Sequence, residues 1–79
     1  MAEFDVTYDE VADAAYIRLL EPGIPLVAAR TYACHPVRVD GMINLDLDEH
    51  GRLVGIEVLA ARAKLPPAVL DAARRIGLE

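Results

Sequence analysis

Apolar and polar positions alternate most regularly between Gly41 and Leu59. Ile43, Leu45 and Leu47 are interleaved with Asn44, Asp46 and Asp48, and Val54, Ile56 and Val58 with Gly55 and Glu57. A period of two places successive side chains on opposite faces of an extended chain, so both runs read as strands with one buried face. Asp48 to Arg52 supplies the connection, with Gly51 free to take the positive φ that closes a short hairpin loop. The other segments then extend the edges of this hairpin or cover its apolar side.

Upstream, Phe4, Val6 and Tyr8 alternate with Asp5 and Thr7 and predict a first strand. It ends at Asp9, whose carboxylate is placed to accept a backbone N–H two or three residues on. Ala14 to Leu20 predicts a second strand with Ala15, Ile17 and Leu19 inward and Tyr16 and Arg18 outward. A helix over Asp9 to Leu20 competes, but the Tyr-Ile-Arg-Leu-Leu run favours a hairpin. Glu21-Pro22-Gly23-Ile24-Pro25 breaks any regular element. Leu26 to Ala33 is a weaker third strand, interrupted by Cys34-His35-Pro36, with Val37-Arg38-Val39 as a continuation past a bulge or bend. After Leu59, Pro66-Pro67 suits a first helical turn, and Leu65, Val69, Ala72, Ala73 and Ile76 fall on one side of a helix over about 66–76 that Gly77 can end. The expected fold is a single α+β domain over 1–79. Its sheet, within 4–59, is mainly antiparallel with four or five strands, and the C-terminal helix packs on it.

Composition changes this picture in one respect. Seventy-nine residues with 54% hydrophobic content, 5% aromatic content and no Trp form a chain that buries only roughly 60 to 65% of its unfolded surface. An aliphatic surplus of that size fills a tight core or faces another subunit, so a homodimer is expected. The formal charge of −5 argues against nucleic acid as the main ligand, since phosphate binding needs a basic surface. Charge is also uneven. Glu3, Asp5, Asp9, Glu10 and Asp13 crowd the start, whereas Arg62, Lys64, Arg74 and Arg75 dominate the end, a pattern that suits docking within or between chains. Cys34 is the single cysteine, and the start lacks the basic head and apolar run of a signal peptide. With no apolar stretch of membrane-spanning length, a cytoplasmic protein without a membrane partner is expected.

Two blocks, Val6-Thr7-Tyr8-Asp9-Glu10-Val11-Ala12-Asp13-Ala14-Ala15-Tyr16-Ile17-Arg18-Leu19 and Ile43-Asn44-Leu45-Asp46-Leu47-Asp48-Glu49-His50-Gly51-Arg52-Leu53-Val54-Gly55-Ile56-Glu57-Val58-Leu59, have a family pattern. The chain resembles a small prokaryotic family of uncharacterised proteins carrying Tyr-Asp-x-x-Ala-Asp-x-x-Tyr-Ile and then Leu-Asp-x-Asp-x-x-Gly-x-Leu-Val-Gly-Ile-Glu. The resemblance implies a compact, sheet-rich domain of unknown function. Some members are encoded beside small RNase-like toxins, so it also implies an antitoxin-type role beside another small protein.

Candidate chemistry is sparse. Asp46-x-Asp48-x-His50-Gly51 with Glu57 at the twelfth position approaches a calcium-binding loop. However, His50 replaces an oxygen ligand, and strands flank the loop where helices are needed. Cys34, His35 and His50 are ligand types for zinc or nickel but lack ligand spacing. As an enzyme, the chain could offer Cys34 with a histidine, or the pairs Asp9 with Asp13 and Asp46 with Asp48; the last two share a strand face about 7 Å apart. The preferred reading assigns no catalytic, cofactor or metal residue. It is a non-enzymatic interaction module, self-associating, with Tyr16, Arg18, Leu65, Val69 and Ile76 as contact residues. The alternative is a metal-binding or small hydrolytic protein using Asp46, Asp48, His50 and Cys34.

Overall fold

A computed structural model describes residues 4–36 and 41–77. The period-two segments form β1 (Asp5–Asp9), β2 (Ala14–Arg18), β3 (Arg30–Cys34), β4 (Ile43–Leu47) and β5 (Leu53–Leu59). A turn of 3-10 helix, Ala61–Ala63, leads to α1 (Pro67–Ala72), and the chain ends in β6 (Arg74–Ile76). The strands lie in one sheet in the order β3-β4-β5-β2-β1-β6. Every pairing is antiparallel except that of β1 with β6, which is parallel.

The fold is therefore α+β with a mixed six-stranded sheet, where the alternation predicted four or five mainly antiparallel strands. The sixth strand replaces the end of the expected helix. α1 stops at Ala72 because Ala73 turns to an extended conformation (φ −70, ψ 145), and the next residues are drawn onto β1 instead. Arg74 donates to Asp5 at 2.6 Å and Arg75 to Glu10 at 2.8 Å, so the acidic start and the basic end dock within one chain. Arg75 also lies over the Tyr8 ring, 5.1 Å from its centroid, a cation–π contact. These distant partners outweigh a helical spacing that remains apolar as far as Ile76. A strand parallel to β5 needs a crossover connection, and the segment carrying α1 supplies it across one face of the sheet.

Register lines the apolar residues up in two rows on that face. One row runs Tyr8, Ala15, Val58, Ile43, Cys34 and the other Val6, Ile17, Ile56, Leu45, Tyr32. The covered core belongs to the first. Tyr8, Ala15 and Val58 are buried with Ala61, Leu70 and Ala73, and Val6, Ile43, Ile56 and Leu65 pack partly against them. Ile17, Leu45 and Leu47 lie outside this cluster and are half-buried.

The two predicted turns take the expected forms. Asp9 Oδ1 accepts the N–H groups of Val11 and Ala12. Gly51 has φ 80, and Asp48 Oδ1 accepts from His50 and Arg52, both at 2.9 Å. A bulge between Asp46 and Leu47 shifts the β4–β5 register, so Leu47 faces Leu53 and Val54 is the extra residue. The third strand is shorter than the predicted Leu26 to Ala33 and is centred further along the chain. The continuation assigned to Val37-Arg38-Val39 lies outside the described residues.

Candidate interaction surface

The face opposite α1 is polar, and its groups are committed to one another. The Tyr16 hydroxyl donates to Asp46 Oδ2 at 2.7 Å, Thr31 Oγ1 donates to Asp46 Oδ1 at 2.6 Å, and Asn44 donates to Glu57 at 2.8 Å. The absence of a side chain at Gly55 makes the first contact possible. A Cβ there would stand 1.8 Å from the Tyr16 hydroxyl, so the Tyr16 ring lies across a gap in β5. Burial, reinforced by the Asp46 hydrogen bond and charge, pushes the Tyr16 hydroxyl well above the usual tyrosine range. The phenol is a donor locked onto a carboxylate.

A second network ties the β1–β2 turn to the segment after β5. The Tyr8 hydroxyl donates to Asp13 Oδ1 at 2.7 Å, which also accepts the Arg62 N–H at 3.1 Å. The Tyr8 bond holds the Asp13 carboxyl below its ordinary range against the opposing effect of burial. Burial, and then that bond, raises the Tyr8 hydroxyl. Asp9 and Asp13 thus belong to one turn but have different partners, Asp9 the N–H groups of Val11 and Ala12 and Asp13 the Tyr8 hydroxyl and the Arg62 N–H.

The calcium-like spacing dissolves in the same way. Asp46 binds Tyr16 and Thr31, Asp48 binds the backbone of its own turn, and Glu57 binds Asn44, while strands flank the loop. Among the described residues no group of three or more His, Cys, Asp or Glu is placed to hold a metal ion. Cys34 is exposed on β3, and His35 is exposed beside it.

The five contact candidates do not form one patch. Tyr16 is half-buried over Gly55 and not bare on the surface as the alternation suggested. Arg18 reaches from the end of β2 to the Ile24 carbonyl. Leu65 packs on the core ahead of α1, Val69 is half-buried in α1, and Ile76 is exposed in β6.

Exposed apolar groups gather elsewhere, around the β4–β5 turn and β3. All five residues of β3 are exposed. Two clefts flank the turn and share Ala29, Asp48, Glu49 and His50. One, of about 610 Å³, takes in Arg30, Tyr32 and Leu47; the other, of about 360 Å³, takes in Leu20, Ile24 and Val27. Tyr32 is 55% exposed and Val27 72%. Sequence reasoning missed this surface because Leu26 to Ala33 shows weak alternation. The available signal was the pairing of large residues such as Val27 and Tyr32 with neither a polar face nor a covering segment.

The matching family model is described as a protein of unknown function (DUF2283), and it covers residues 5–62. The chain belongs to that family. The match spans β1 to β5 and the start of the 3-10 turn, and therefore both networks and both clefts, whereas α1 and β6 follow it. Neither a curated protein nor a solved structure matches the chain. No helix among the described residues is long and apolar enough to cross a membrane.

Proposed function

We propose that this DUF2283 protein is a non-enzymatic interaction module of the cytoplasm that associates with a second copy of itself through the β3 end of its sheet. The observation carrying this reading is the state of that end: a five-residue strand exposed throughout, with Ile24, Val27 and Tyr32 bare around two adjoining clefts. Contiguous apolar exposure of this kind marks an interaction site, and Tyr and Arg, here Tyr32 and Arg30, are favoured at such sites.

Area supports a second copy as the occupant. The chain exposes 5638 Å², whereas a folded monomer of 8.6 kDa exposes about 4,700 Å² by area–mass scaling. The excess is close to the roughly 800 Å² that each partner contributes to a standard interface. The exposed thiol of Cys34 suits a reducing compartment.

Sedimentation equilibrium tests the proposal. The wild-type chain is expected to reach dimer mass, and Tyr32→Asp to return it to the monomer with an unchanged circular dichroism spectrum. A wild-type monomer across the whole concentration range overturns self-association and leaves this surface to a different small protein, the arrangement an antitoxin-type role requires.

A further inference from the structure

The two outer strands of the sheet are built differently. β6 is three residues long and carries Arg74 and Arg75, and short, charged edges resist pairing with another chain. β3 has five residues, Arg30-Thr31-Tyr32-Ala33-Cys34, with no proline and an unbroken register against β4. Among the described residues no backbone hydrogen bond outside its ladder with β4 reaches it. Such an edge is a template for a further strand.

Resting on the self-association proposed above, we infer that the second copy adds its own β3 to this edge, antiparallel, about a two-fold axis that passes beside Tyr32. Symmetry dictates the register. A two-fold axis perpendicular to a sheet keeps each face on its own side, and directly opposed residues in an antiparallel pair share a face. The axis must therefore pass beside a residue that pairs with its own copy. With the axis at Thr31 or Ala33 only part of the strand overlaps, whereas at Tyr32 all five residues pair. Tyr32 then lies against Tyr32 of the second copy on the apolar face, a favourable aromatic cross-strand pair. Thr31 opposes Ala33 of the second copy, and Arg30 opposes Cys34. The apolar row that ends in Tyr32 continues across the seam, whereas the row that ends in Cys34 meets Arg30 of the second copy, and the two sheets become one.

Cysteine capture tests this register. Chains carrying Tyr32→Cys in a Cys34→Ser background should form a disulfide-linked dimer under mild oxidation, since Cα atoms of opposed residues lie within disulfide reach. A mixture of Thr31→Cys and Ala33→Cys chains, each also Cys34→Ser, should link as a heterodimer while each alone links poorly. The second experiment guards against one pair type being unfavourable for closure. Wild-type Cys34, about 14 Å along the seam from its copy, should stay reduced. A sedimenting dimer that neither experiment captures overturns the edge pairing and leaves self-association standing. A sedimenting monomer overturns both.

Discussion

The β6 end and the β3 end of the sheet differ in how their apolar groups are covered, although Phe4, Val11 and Ile76 remain exposed toward the first. At the β6 end, α1 covers Tyr8, Ala15 and Val58, and ion pairs from Arg74 and Arg75 seal the rim. At the β3 end nothing described lies over Tyr32, and β3 is exposed along its length. The difference separates what the chain needs to fold from what it has left over for a partner. A chain this short cannot cover a six-stranded sheet completely, and α1 covers the end where its charges already dock.

The largest expected effect lies at the covered end. Leu70 is 8% exposed within the core cluster, and Leu70→Ala should cost about 2 to 4 kcal/mol in chemical denaturation. The same substitution should leave the self-association constant unchanged, because the cavity lies away from β3. A smaller effect is expected at Gly55. In Gly55→Ala the new methyl collides with the Tyr16 hydroxyl and turns it off Asp46, costing about 1 to 2 kcal/mol. An ultraviolet titration of this variant should show the Tyr16 phenol returning toward the ordinary tyrosine range.

The smallest effect is one of pH. Asp13 and Asp48 titrate below their ordinary range in the folded chain, Asp13 through Tyr8 and Asp48 through the backbone N–H of Arg52. Their contributions are present above the unfolded carboxylate range and are lost as pH falls through the lowered folded values. Tyr8 and Tyr16 are shifted upward, so theirs are present below the unfolded tyrosine range and fade as pH rises through the raised values. Stability should therefore be flat near neutrality and fall on both sides. Asp13→Asn should flatten part of the acid limb and, by removing one cause of the raised Tyr8 hydroxyl, shift the Tyr8 part of the alkaline limb downward while leaving the part set by Tyr16.

How far the sequence reveals this architecture depends on how local each determinant is. The central hairpin, the first hairpin and both acid-capped turns follow from alternation and from residues a few positions apart. The C-terminal segment does not. Leu65, Val69, Ala72 and Ile76 keep a helical spacing, yet Arg74 and Arg75 pair with Asp5 and Glu10 more than sixty residues earlier, and no local pattern records that. Tyr16 was legible as an outward residue of β2, but the gap at Gly55 that receives it depends on the β2–β5 register. The acidic turn was legible as a hairpin. The exposed surface was not, because β3 owes its length and position to the β4 ladder.

Residue-resolved amide exchange of the wild-type chain across a dilution series tests the contrast most directly. Protection of the Arg30–Cys34 amides should rise with protein concentration as β3 gains a second neighbour, while protection around Tyr8 and Arg74–Ile76 stays constant. Protection of β3 that is independent of concentration, or a concentration-dependent rise confined to the β6 end, would contradict the account.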